Sequence, residues 1–358
     1  MRIAVEVTFA NEEKKTGLSV YTDNLLAALA KEADPEDTFY LLFAQKKWNG
    51  RIYGKNFIPV SYACSNSQLV SICFSLNKTL KALNVDLFHV FCNSGVPPTC
   101  PVPVLTTVHD LFFLSAKDIP LKTRLILKMM FRWTLRNTKH FISNSETTKK
   151  SLHEFGIPEE QITTVYPGVE NFAYPEAASS ERKPYFLCVG ALEQRKGQTM
   201  LAEAYFKAWK DHPDLPDLIF IGPVRGESDP FFSLVDQCPK IQWLDYIGSK
   251  ELAEYYANAT ALFFPSYQEG FGLPLIEAMS ARIPVVCSDI PIFREIAEGC
   301  VKFVNPDSES FAEALKNFDS QEFDLEKSLR RAKIFTWKKA AKDLLSLYLE
   351  HSSAKSRQ

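Results

Sequence analysis

Along the 358 residues, short apolar runs of β type alternate with amphipathic helical stretches, and they do so in two series. The first series reads RIAVEV, FYLLFA, LFHVF, PVLTTV, HFISNS and TTVYP; the second reads YFLCVG, DLIFIG, IQWLDYI, ALFFPS, PVVCSD and VKFVNP. Between them lie helical segments such as Tyr21–Lys31 and Gln198–Lys210. Strands that alternate with helices build βαβ units and parallel sheets. Two such series, parted by a Pro/Ala/Ser-rich stretch at 174–184, predict an α/β chain of two doubly wound, Rossmann-like domains, at 1–172 and 183–335. Ligands of such sheets bind beyond the carboxyl ends of the strands. A last helix at 336–350 carries an apolar stripe of Trp337, Ala341, Leu344, Leu345 and Tyr348, and the tail after it reads as frayed.

Composition narrows the function classes. The chain is 46% hydrophobic and 23% charged, as a globular protein should be, and its net charge of −2 gives no reason to expect nucleic acid as a partner. Residues 1–172 hold 19 basic and 16 acidic side chains, so the first domain is mildly basic at +3 and the remainder is −5. That asymmetry hints at an anionic partner. The eight cysteines form no CxxC pair and mostly sit in apolar runs, which reads as reduced thiols in a cytoplasmic protein. MRIAVEVTFA reads as a strand rather than a signal peptide, and no stretch has the length of apolar residues that a membrane span needs.

The most informative stretch is PSYQEGFGLPLIEAMSARIPV, 265–285. A buried strand leads into it, and Gly270 and Gly272, with Phe271 between them and Leu273 after, let the backbone turn tightly and approach a ligand. Pro274 suits the first position of a helix expected over Leu275–Ala281, whose N-terminal amides and dipole favour phosphate. Glu269 lies on the loop and Glu277 about one turn into the helix, so the pair could grip hydroxyl groups at two ends of one ligand. The alternative is a solvated loop acid and a helix-stabilising acid. In VGALEQRKGQ, 189–198, Arg195 and Lys196 fall at a helix start, where cations oppose the dipole unless an anion joins them; a solvated basic pair is the other reading. His109 in TVHDL ends an apolar strand and is either packing or chemistry, and Gly17 lies in the first strand-to-helix loop.

Absences exclude several classes. No GxGxxG follows the first strand, which argues against a nicotinamide dehydrogenase; there is no P-loop and no GxSxG elbow. No two aspartates stand at i, i+2, so a DxD type of metal-held diphosphate site is missing, and charge neutralisation falls to Arg195, Lys196 and helix dipoles.

EGFGLPLIEA resembles the E-x7-E element of the retaining glycosyltransferases of the GT-B fold, family 4. The run from ELAEYYANATALFFPS to PIFREI is similar to that family throughout, and GALEQRKG resembles the GTLEPRKN form of its mannosyltransferase-like members. TVHDL, ISNSETTKKSL and VYPGVE stand in the family's order and spacing, so the resemblance spans nearly the whole chain. It implies two Rossmann-like domains facing across a cleft, with the donor between them. It further implies that Glu269 contacts the donor sugar, Glu277 the ribose, and Arg195 and Lys196 the diphosphate. Gly17 would approach that phosphate, His109 would line the sugar pocket, and the last helix would cross back to the first domain. Departures are the missing Asn in VYPGV, Ala191 and Gly197 in the second motif, and Arg282 where the family usually has Gly.

The expected activity is metal-independent hexosyl transfer with retention, from a nucleotide-diphosphate sugar as substrate and with no cofactor. GDP-mannose is the expected donor and a growing glycan or lipid-linked saccharide the acceptor. UDP- or dTDP-hexose donors, an epimerase and a non-catalytic sugar-nucleotide-binding subunit are the alternatives. In LKTRLILKMMFRWTLRNTKH, 121–140, cations recur every fourth residue opposite apolar ones. That helix is either a core helix with a solvated basic face or a contact with an anionic membrane surface, which would place the protein at the inner face of the membrane.

Overall fold

The computed structural model describes residues 1–11, 16–114, 120–169, 184–226 and 228–352. Nearly all of the Pro/Ala/Ser-rich stretch and the last six residues of the chain lie outside the described residues. The chain divides into two units, one of Met1–Gly168 with Thr336–Gln358 and one of Val169–Phe335.

In the first unit β1 (Arg2–Glu6), β2 (Thr38–Phe43), β3 (Phe57–Ser61), β4 (Leu87–Val90), β5 (Val104–Val108), β6 (Thr138–Ser143) and β7 (Ile162–Thr164) form one sheet in the order β3-β2-β1-β4-β5-β6-β7. All its pairings are parallel. Alternate residues feed two cores. Ile3, Val5, Phe39 and Leu41 pack with Leu25 and Leu29 of the helix Gly17–Glu32 and with Ala341, Leu344 and Tyr348 of the helix Trp337–Ser352. Ala4, Tyr40, Leu42 and Phe88 pack with Ile72, Leu76 and Leu80 and with Met130 of the helix Leu121–Asn137. Helices therefore cover both faces, as parallel sheets require. The last helix is tied down by more than packing: Tyr348 and His89 share a buried hydrogen bond of 2.7 Å.

Two sequence expectations are corrected here. β3 was not expected, because Pro59 interrupts FIPVS and most of the strand is exposed. It is an edge strand, where a missing amide donor costs little. The basic helix ends at Asn137, and Thr138–Lys139 already belong to β6.

The second unit holds β8 (Tyr185–Val189), β9 (Asp217–Ile221), β10 (Ile241–Leu244), β11 (Ala261–Phe264), β12 (Val285–Ser288) and β13 (Lys302–Val304), again parallel, in the order β10-β9-β8-β11-β12-β13. Its core joins Phe186, Phe220 and Phe263 to Leu201 and Tyr205 of the helix Gln198–Asp211 and to Phe311 of the helix Ser308–Lys316.

Candidate active site

β8 is the first strand of its unit, yet it lies inside the sheet with β9 on one side and β11 on the other. The strand order reverses there, and the connections leave in opposite directions, which opens a crevice at the carboxyl ends of β8 and β11. The two motifs singled out in the sequence occupy that crevice from its two sides. Arg195 and Lys196 sit in the turn Gln194–Lys196 after β8, and Glu269 sits in the loop after β11.

They meet directly. Lys196 Nζ donates to Glu269 Oε1 at 2.5 Å, Ser266 Oγ donates to the same oxygen at 2.9 Å, and Arg195 Nη1 lies 3.5 Å from Oε2. Arg195 is held from behind by Glu193, Nε to Oε2 at 2.9 Å. The backbones of the loops are joined too, with the Tyr267 amide donating to the Arg195 carbonyl at 2.9 Å. Gly197 permits this approach. Its φ is +69°, and a Cβ there would stand 2.3 Å from the Pro265 carbonyl oxygen. Only glycine fits a left-handed position with backbone that close.

The electrostatics follow from this geometry. Burial pushes the Glu269 carboxyl up, but Lys196, Arg195 and the hydrogen bonds from Lys196 and Ser266 outweigh it and hold the group below its ordinary range. Glu269 is therefore a buried, ionised acceptor and not a solvated loop acid. The cation pair is correspondingly not a lone basic patch, since it meets the Glu269 and Glu193 carboxylates.

The helix beyond the glycine turn runs Leu273–Ser280, so Pro274 is its second residue and not the expected first. Gly272, at φ +95°, is the N-cap and provides no side-chain cap. Gly270, Phe271 and Gly272 are buried and Leu273 is half-buried. The Phe271 ring packs edge-on against Phe335 of the same unit at 5.6 Å. Glu277 is buried and accepts a hydrogen bond from Tyr256 Oη at 2.7 Å. Arg282 has a φ of +58°, an unfavourable left-handed conformation for a side-chain-bearing residue. That is the physical content of the departure noted at this position.

In the first unit His109 follows directly on β5. Its Nε2–H donates to the Phe91 carbonyl at 2.8 Å, and its ring meets Tyr21 edge-on at 4.6 Å. Burial lowers its basicity, only partly countered by the Phe91 carbonyl and Asp110. His109 is thus neutral, with Nδ1 as its acceptor. Gly17 opens the helix Gly17–Glu32 behind a capping box of Thr16 and Ser19, and a Cβ on it would meet nothing within 4 Å. Packing alone does not demand glycine there.

Sequence reasoning missed the supporting side chains Glu193, Ser266, Tyr256 and Asn93, the last accepting from the His109 amide at 3.1 Å. Glu193 and Ser266 stand two and three residues from the groups they hold, a signal that was readable. Tyr256 and Asn93 come from other elements and left no local trace.

Comparison with known proteins fits this geometry. The family model for glycosyl transferases group 1 matches residues 171–334, and the model for Glycosyltransferase Family 4 matches residues 15–171. The chain belongs to the family 4 type of glycosyltransferases. Among similar members is the O-antigen chain mannosyltransferase RfbU of Salmonella typhimurium, 31% identical over 221 residues that make up 60% of this chain and 60% of that protein. The O-antigen chain mannosyltransferase B of Escherichia coli is 25% identical over 264 residues, 68% of this chain and 69% of that one. The serotype-specific mannosyltransferase WbdA of Escherichia coli is 37% identical over 135 residues, and there the match spans only 16% of the longer protein. Among solved structures, sucrose-phosphate synthase from Thermosynechococcus elongatus superposes with a TM-score of 0.79 at 19% identity, covering 99% of this chain and 100% of that chain. Anabaena HepE, solved in complex with UDP and glucose, gives 0.72 at 14% identity, covering 98% and 100%. At such identities the likeness establishes the GT-B fold alone.

Proposed function

We propose that this chain is a retaining hexosyltransferase that moves mannose from GDP-mannose to a hydroxyl of a growing glycan or lipid-linked saccharide. The observation that carries the reading is the meeting of Glu269 with Lys196 and Arg195 at the strand-order reversal of the second unit. The mannosyltransferase relatives support the choice of sugar.

In this reading the Arg195 guanidinium and Lys196 ammonium compensate the diphosphate, together with the amides of the 270–273 turn. An ammonium has three donors, so Lys196 can hold Glu269 and a phosphate oxygen together. The ionised Glu269 accepts from donor-sugar hydroxyls, and Glu277, oriented by Tyr256, accepts from the ribose. His109 offers a neutral nitrogen to a sugar hydroxyl.

The bond from the anomeric carbon to the departing phosphate oxygen breaks, and the acceptor oxygen bonds to that carbon from the same face. The acceptor's proton passes to the leaving phosphate. No enzymic nucleophile is needed, and the protein's share is positioning and stabilisation of the departing charge.

A thermal-shift panel of GDP-, UDP-, dTDP- and ADP-sugars tests the donor. A ligand at 100 times its Kd stabilises by ~2.7 kcal/mol. Stabilisation by GDP-mannose above the others is expected. A response to a different base alone would replace the donor, and no response to any would remove the transferase reading.

A further inference from the structure

We propose that the first unit docks on an anionic lipid bilayer through two helical layers on one face of its sheet and not through the basic helix alone. The first is the helical run Gln68–Ser71, Ile72–Leu76 and Asn77–Leu83; the second is Leu121–Asn137. Both bury their inner residues in the same core cluster on the same sheet face, Leu76 and Leu80 from one and Met130 from the other. Their outer stripes therefore point away from the sheet on the same side.

Neither segment contains a single acidic residue. Residues 68–83 carry Lys78 and Lys81, and 121–137 carry Lys122, Arg124, Lys128, Arg132 and Arg136. The helices on the opposite face are mixed in sign, with Asp23, Glu32, Asp343 and Glu350, and so is the helix Glu146–Glu154 that packs beside Leu135 at the edge of the two layers, with Glu146, Lys149, Lys150 and Glu154. Between the cations stand large apolar side chains that the fold leaves uncovered. Phe74 is 70% exposed, Leu121 61% and Leu125 58%, with Val70 and Met129 at 38% each. Leu121, Leu125 and Met129 follow at four-residue intervals, one stripe of one helix, and Val70 and Phe74 repeat the spacing on the other run.

Scattered exposed apolar residues are ordinary, but two aligned stripes set among cations are not. A soluble polyanion would use the cations and gain nothing from Phe74 or the leucines. A bilayer with anionic headgroups uses both, because the cations meet the surface potential while the apolar tips enter the acyl boundary. The inference does not depend on which sugar is transferred, and its test reads lipid binding without turnover.

The test is flotation of the full chain with vesicles of phosphatidylcholine, with and without phosphatidylglycerol, across a salt series. Binding is expected only with the anionic lipid and should weaken with salt. The variant K128E/R132E/R136E should lower partitioning by about a hundredfold or more, at about fivefold for each cation. F74S/L121S/L125S should lower it separately. All six side chains are on the surface, so circular dichroism melts of both variants should match the parent and exclude misfolding. Binding to neutral and anionic vesicles alike, or to neither, would overturn the proposal. So would salt-sensitive binding unchanged by F74S/L121S/L125S, which would indicate a site for soluble polyanions.

Discussion

Lys196 and Glu269 stand 73 residues apart in sequence and 2.5 Å apart in space, joined across the carboxyl ends of two neighbouring strands. The pair makes each residue a condition of the other. Without Lys196 and Arg195 the buried carboxylate would drift toward its neutral form, and without Glu269 the largely buried ammonium would lose its partner. Replacing one member of such a pair costs about 3–5 kcal/mol when both are fully buried, and somewhat less here, where Lys196 keeps some exposure.

Two glutamates should separate kinetically. Glu269→Gln is expected to reduce kcat by ~10²-fold or more, as when ~2.7 kcal/mol of transition-state stabilisation is lost, and to leave affinity for the free nucleoside diphosphate nearly intact. Glu277→Gln is expected to raise the donor KM and weaken binding of the free nucleotide, because the ribose contact proposed for Glu277 is alike in ground and transition states. Steady-state kinetics with calorimetry on the nucleotide decides it, and the reverse pattern would mean the donor lies the other way round.

Chelation should leave turnover in place. On the proposed role of Arg195 and Lys196 in compensating the diphosphate, activity in excess EDTA should match that of the untreated protein. Loss of activity restored by Mg²⁺ or Mn²⁺ would reassign the two cations.

Two glycines should respond oppositely. Gly197→Ala forces a side chain into a left-handed position against the Pro265 carbonyl and should destabilise by at least about 2 kcal/mol in denaturant unfolding. Gly17→Ala meets nothing within 4 Å and should leave unfolding unchanged or slightly favour the folded state. If Gly17 lies against the phosphate, that same variant will lose donor affinity without losing stability.

The pH profile of stability carries the signature of a buried acid that no motif contains. Glu6, at the end of β1, is 1% exposed and accepts from Thr8 and Tyr62; burial outweighs those hydrogen bonds and raises its pKa from 4.5 to about 7. A raised carboxyl favours the folded state most below its unfolded value. This contribution is full below about 4.5 and is lost as pH rises through about 7, up to about 3 kcal/mol. Glu6→Gln should therefore be more stable than the parent at pH 8.5 and nearly equal at pH 4.5. Glu269 works in the opposite direction, since its lowered pKa gives stability that is present above the ordinary carboxylate range and lost as pH falls.

Strand existence was legible wherever one run could be judged alone. RIAVEV, ALFFPS and their counterparts are apolar because both faces of a parallel sheet are covered, so the pattern reports burial directly. FIPVS escaped because an edge strand need not be apolar and can hold Pro59. The candidate site residues stood out for a different reason. Glu269, Arg195 and Lys196 lie beside glycines at strand-to-helix junctions and Glu277 about one turn into the helix that follows, and that local chemistry is written in nearby residues. What the sequence by itself determined is thus the alternation, the two series and the loops that bear polar groups. Only the tertiary structure decided that β8 lies against β11, and therefore that the carboxylate of one loop neutralises the cations of the other. That the helix Trp337–Ser352 returns to the first unit was implied by the family resemblance, and the tertiary structure decided which side chains it meets there, with Tyr348 bonded to His89. Pairings between distant segments depend on strand order, and strand order depends on which faces can be buried together, which no single segment encodes.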